Sequence, residues 1–91
     1  MIKKKVTIKN SAGIHVRPAG IIMKAINGFK DTILLKTDNG EIKLNSAIDL
    51  IALGLQKTDI VYITVSGPNE KELSSILVSL FEKEYDFPAK E

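Results

Sequence analysis

Apolar residues recur every second position at the start of this chain and every third or fourth position soon afterwards, and no single element satisfies both periods. Ile2, Val6 and Ile8 alternate with Lys3, Lys5 and Thr7, with Lys4 alone breaking the rhythm. That pattern predicts a half-exposed strand over residues 2–8 whose lysines form a solvated face. Val16, Ala19, Ile22, Met23 and Ile26 then follow helical spacing up to the stop signal Asn27-Gly28. Between the two lies Asn10-Ser11-Ala12-Gly13, a turn cluster. A strand must therefore feed a helix through a short, sharply turning connection.

The periods go on switching. Residues 32–37 predict a second strand with Ile33 and Leu35 facing inward, and Asp38-Asn39-Gly40 is a strong hairpin signal leading to a return strand over 41–44. Ser46 is placed as the N-cap of a short helix, with Asp49 in its first turn and Gly54 ending it. Residues 60–65 predict a β-branched strand. Asn69 and Glu72 then resemble a capping box ahead of the stripe Leu73, Ile76, Leu77, Leu80 and Phe81, whose helix is expected to reach about Glu84. Residues 85–91, with Pro88 against helix continuation, predict a loose tail. The order βαββαβα contains two strand–helix–strand crossovers. It predicts an α+β open-faced β-sandwich, a four-stranded antiparallel sheet with three helices on one face.

At 91 residues the chain is expected to form a single domain, 1–91. The net charge of +2, the absence of Trp and only five Phe or Tyr residues argue against a nucleic-acid partner. The absence of Cys and the single His argue against disulfides, a metal site or a cofactor. No apolar run is long enough to cross a membrane, and no apolar stretch follows Met1-Ile2-Lys3-Lys4-Lys5 as in a secretory signal. A cytoplasmic monomer without membrane insertion is the expectation.

Chemistry concentrates in Gly13-Ile14-His15-Val16-Arg17-Pro18-Ala19. Pro18 suits a first helical turn, so His15 falls at or beside a helix N-terminus, where N–H groups without intrahelical partners favour an anion. Neutral imidazole is a nucleophile near pH 7, and the helix terminus disfavours its protonated form. Arg17 can supply a guanidinium to a phosphoryl group. The plain alternative is a surface histidine beside a solubilising arginine. On the residues alone, both readings stand.

A second feature is the apolar helix after Ser46. Leu50 and Leu53 occupy one face, and Ile48, Ile51, Ala52 and Leu55 another. So short a helix at the edge of a small sandwich cannot bury both faces, which predicts an exposed docking surface unless a segment such as Phe87 covers it.

These stretches together resemble the HPr family, the histidine-containing phosphocarriers of the bacterial phosphotransferase system. The likeness rests on Gly13 to Ala19, Asn45-Ser46-Ala47-Ile48 and Leu53-Gly54-Leu55. It implies that His15 accepts a phosphoryl group from phosphorylated enzyme I and passes it to IIA domains of sugar permeases, Arg17 stabilising the group in transit. It also implies that Ser46 is a regulatory site for HPr kinase in bacteria that have one, and that Ala47, Ile48, Ile51 and Ala52 belong to the docking surface. Val16, Gly20, Asp49 and the long tail depart from the family's usual pattern. Asp49 adds an acid that is unfavourable toward an acidic enzyme I surface. The rival readings are an acylphosphatase-like hydrolase and a purely regulatory relative.

Overall fold

The computed structural model describes residues 1–10, 13–14 and 16–84. In chain order they form β1 (Ile2–Thr7), α1 (Val16–Ile26), β2 (Thr32–Thr37), β3 (Gly40–Lys43), α2 (Ala47–Ala52), β4 (Ile60–Ser66) and α3 (Glu70–Glu82). The expected βαββαβα order is present, with boundaries shifted by a residue or two. The expected loose tail at 85–91, including Phe87, lies outside the described residues.

The sheet runs β1-β4-β2-β3 and every neighbouring pair is antiparallel. β4 is central because its side chains on one face, Val61, Ile63 and Val65, are all fully buried. Ile33 and Leu35 on β2 and Val6 on β1 continue that face. Against it pack Ala19, Ile22 and Ile26 of α1, Leu50 of α2 and Leu73, Leu77 and Phe81 of α3, one hydrophobic cluster among the described residues. All three helices therefore cover the same side of the sheet. The other side is left to water.

Lys4 breaks the alternation because β1 is an edge strand. Its register partner Ile63 is fully buried, yet Lys4 itself is exposed. A charge at an inward position discourages edge-to-edge pairing with another chain. The Glu82 carboxylate accepts the N–H of Thr7 at 3.2 Å at the end of the same strand. The β2–β3 connection pairs Thr37 with Gly40, leaving Asp38-Asn39 as the two-residue turn; Gly40 has φ +129.

Three local expectations need correction. Val16 has helical spacing with the core stripe but is 67% exposed, because Ile14 takes the buried position at that end of α1. α2 stops at Ala52, and Leu55 leaves the presumed exposed face for the core, where it is 3% exposed. The Asn69–Glu72 capping box does not form: the Asn69 side chain makes no cap hydrogen bond. Instead Glu70 accepts the N–H of Gly67 at 3.3 Å and the terminal ammonium of Met1 at 2.8 Å, while Asp31 accepts the N–H of Asn69 at 3.0 Å.

Candidate functional site

His15 lies outside the described residues, as do Ser11 and Ala12; the described residues on either side position the loop. The N–H of Gly13 bonds to the carbonyl of Asn10 at 2.9 Å, closing the turn that follows β1. The Asn10 amide, buried to 2% exposure, donates back to the Gly13 carbonyl at 2.7 Å. Ile14 donates to the Leu55 carbonyl at 3.0 Å and buries its side chain. The strand-to-helix connection is thus stitched to the chain leaving α2.

Gly13 explains why that approach is possible. It has φ +74, a conformation costly for residues with a Cβ, and an added Cβ would overlap the Leu55 carbonyl oxygen and sit 2.9 Å from the Gln56 Cα. The opposing segment is fixed as well. Ile8 donates to Asp59 and Thr58 donates to Ile8, both at 2.8 Å, and the Asp59 carboxylate accepts the N–H of Gln56 at 2.9 Å. A motif that looked local in the sequence is held by residues about forty positions away.

α1 begins at Val16, so Arg17 and Pro18 stand in its first turn, as expected. Pro18 is buried and lacks an N–H where a helix needs none. Arg17 is exposed. The first turn therefore offers a cationic side chain beside the positive end of an eleven-residue helix.

α1 packs against α2, and the expected second site is here. Ser46 is the N-cap of α2 and is exposed, with extended backbone at φ −153. Asp49 reaches back from the third helical position, and its Oδ2 accepts the N–H groups of Asn45 at 2.8 Å and Ser46 at 2.9 Å. Asp49, expected as a first-turn acid, is thus also a capping group. Leu50 and Leu53 face the core, Ala47 packs against its margin and Ala52 is exposed. Ile48 is 74% exposed and Ile51 38%. Among the described residues no segment covers them.

Two further apolar residues on these helices add to this surface, Val16, which the periodicity places in the core stripe, and Ile21, which it leaves out. Val16, 67% exposed, and Ile21, 37% exposed, present hydrophobic surface from α1. Ile21 was detectable, since it falls off the Ala19, Ile22, Ile26 stripe. Among the described residues no group of three or more His, Cys, Asp or Glu could hold a metal, and no helix is long and apolar enough to cross a membrane.

The family model for the PTS HPr component phosphorylation site matches residues 2–83. The chain belongs to the PTS-HPr family. It is 36% identical over 84 residues to phosphocarrier protein HPr of Mycoplasma pneumoniae, covering 91% of this chain and 96% of that protein. It is 34% identical over 86 residues to phosphocarrier protein NPr of Escherichia coli K12, covering 93% and 96%. The HPr crystal structure from Thermoanaerobacter tengcongensis superposes with a TM-score of 0.81 at 28% identity, over 89% of this chain and 91% of that one. HPr-family membership favours the phosphocarrier reading over the acylphosphatase-like one.

Proposed function

We propose that this protein is a stoichiometric phosphocarrier. His15 accepts a phosphoryl group from phosphorylated enzyme I and hands it to the IIA domains of sugar permeases, without turning over a substrate of its own. The observation that carries the reading is the family match together with the placement of Val16 as the first residue of α1, immediately after His15 in the chain. A helix start supplies N–H groups and a positive dipole end, both suited to the oxygens of a transferred phosphoryl group. Arg17, in the same turn, stabilises that group during transfer.

Val16, Ile48 and Ile51 form part of the surface on which successive partners dock. Their exposure on two helices that pack together supports this role. Ser46 is a regulatory phosphorylation site where the source cell has an HPr kinase, and a phosphate there would set about two negative charges beside that surface. The protein acts in the cytoplasm, as a single domain and a monomer.

Transfer kinetics test the division of roles. Arg17→Ala should slow phosphoryl transfer from enzyme I while the chain still becomes phosphorylated. Ile48→Glu should weaken partner binding while leaving the melting temperature close to that of the parent. Unchanged rates in both variants would remove Arg17 and the α2 face from the mechanism.

A further inference from the structure

The side of the sheet away from the helices has a composition that the linear sequence conceals. Strand register aligns Lys5 of β1 with Tyr62 of β4, Tyr62 with Lys36 of β2, and Lys36 with Glu41 of β3. The next row aligns Lys3, Thr64, Leu34 and Lys43. Lys3, Lys5, Lys36 and Lys43 are all exposed, and Tyr62 at the centre is 49% exposed. Four lysines against Glu41 give this one face a larger positive excess than the +2 of the whole chain. Among the described residues no salt bridge engages any of the four.

We propose that this face docks on an acidic phospholipid bilayer surface. The lysines lie on three of four adjacent strands in two rows, a two-dimensional array about 14 Å across at a strand spacing of ~4.8 Å. Such an array meets a field of headgroups better than a single line of phosphates. Tyr62 stands alone as an exposed aromatic on these strands, so successive bases have no stacking platform. A tyrosine and a half-buried leucine ringed by lysines suit the boundary between headgroups and acyl chains, where aromatic rings settle and lysine stems lie along apolar surface.

Acids flank the face at both ends. Asp38 and Asp59 line a hollow with Lys36 and Tyr62 at the hairpin end, while at the opposite end Asp31 is held by the N–H of Asn69 and Glu70 is paired with the Met1 ammonium, so the Lys3–Lys43 row meets the anionic surface first. Docked in this way, the protein turns α1 and α2 away from the lipid, leaving the relay face open to its partners.

Sedimentation of the full chain with vesicles of phosphatidylglycerol and phosphatidylcholine tests the proposal. Binding is expected at low salt, is lost toward 1 M salt where the screening length falls to ~3 Å, and is absent with phosphatidylcholine alone. Each neutralised lysine of the leading row should weaken binding about fivefold, so Lys3→Gln with Lys43→Gln gives about 25-fold. The pair Lys5→Gln with Lys36→Gln should lose less, Tyr62→Ala should weaken binding without altering its salt dependence, and Lys24→Gln on α1 should leave it unchanged. Thermal melts of each variant confirm folding. Equal sedimentation of parent and both lysine pairs, or an equal loss in Lys24→Gln, would overturn the proposal. Tighter binding to a single-stranded oligonucleotide, lost in the same variants, would overturn it in favour of nucleic acid.

Discussion

The carboxylate of Asp49 lies 2.9 Å from the backbone nitrogen of Ser46 and accepts its N–H, while holding the N–H of Asn45 at 2.8 Å. The candidate regulatory serine therefore has its own N–H, and that of Asn45 before it, held by an acid from the first turn of α2. A phosphate on Ser46 would meet that carboxylate at close range, two like charges side by side.

Asp49 should accordingly be coupled to any negative charge placed at position 46. Asp49→Ala should cost about 1 kcal/mol through the lost cap. Ser46→Asp should destabilise the parent, and should do so less in an Asp49→Asn background. The coupling should be about 0.5–1 kcal/mol for this exposed pair and should shrink with salt. Urea denaturation of the four proteins of the cycle measures it. Additive effects would mean the two groups do not meet.

Gly13 offers a steric test of the connection that carries His15. A methyl at this position, with φ +74 and the Leu55 carbonyl in its way, should cost more than about 2 kcal/mol in Gly13→Ala. Gly20, around which an added Cβ meets nothing within 4 Å, should gain stability in Gly20→Ala, by up to about 1 kcal/mol from helix propensity. Chemical denaturation of both variants separates crowding at the connection from glycine replacement in general.

Thr58 is a β-branched residue with φ +78. Its N–H bonds to Ile8, so the strained conformation is imposed by the segment that supports the site loop. Thr58→Gly should relieve the strain and raise stability by about 1 kcal/mol, since an L residue in this region costs ~1–2 kcal/mol and glycine loses part of that in chain entropy. A lowered denaturation midpoint would contradict the strain argument.

Glu70 gives the pH dependence. Its hydrogen bond from the Met1 ammonium, then that from the Gly67 N–H, holds its carboxyl below the ordinary value of 4.5. A depressed folded-state pKa contributes stability above the unfolded value and loses it as pH falls through the folded one. The difference in melting temperature between parent and Glu70→Gln should therefore be present at neutral pH and fade once the pH drops below 4.5. The group is exposed, so the effect should be small and should diminish with salt.

Much of the architecture was legible because burial imposes its period on the chain. Val61, Ile63 and Val65 alternate since one face of β4 is in the core, and Asp38-Asn39-Gly40 announces its turn through backbone chemistry alone. What stayed hidden depends on residues far apart in sequence. Leu55 is buried because the chain leaving α2 must meet Gly13 and Ile14, and Glu70 replaces Glu72 as the working acid because Met1 arrives beside it. Asp49 was visible as a first-turn acid, but its second acceptor bond, to Asn45, depends on how the chain enters α2. The lysine rows needed the strand order β1-β4-β2-β3, which no local pattern encodes.

The central claim is that His15 is a way-station for a phosphoryl group. Incubation with phosphoenolpyruvate and enzyme I, followed by mapping of the acid-labile phosphate, tests it most directly. The account predicts one acid-labile phosphate per chain, located on His15, and none in a folded His15→Ala variant. Phosphorylation of that variant at the parental rate, or steady release of inorganic phosphate by the parent chain in place of a stable phosphorylated form, would contradict it.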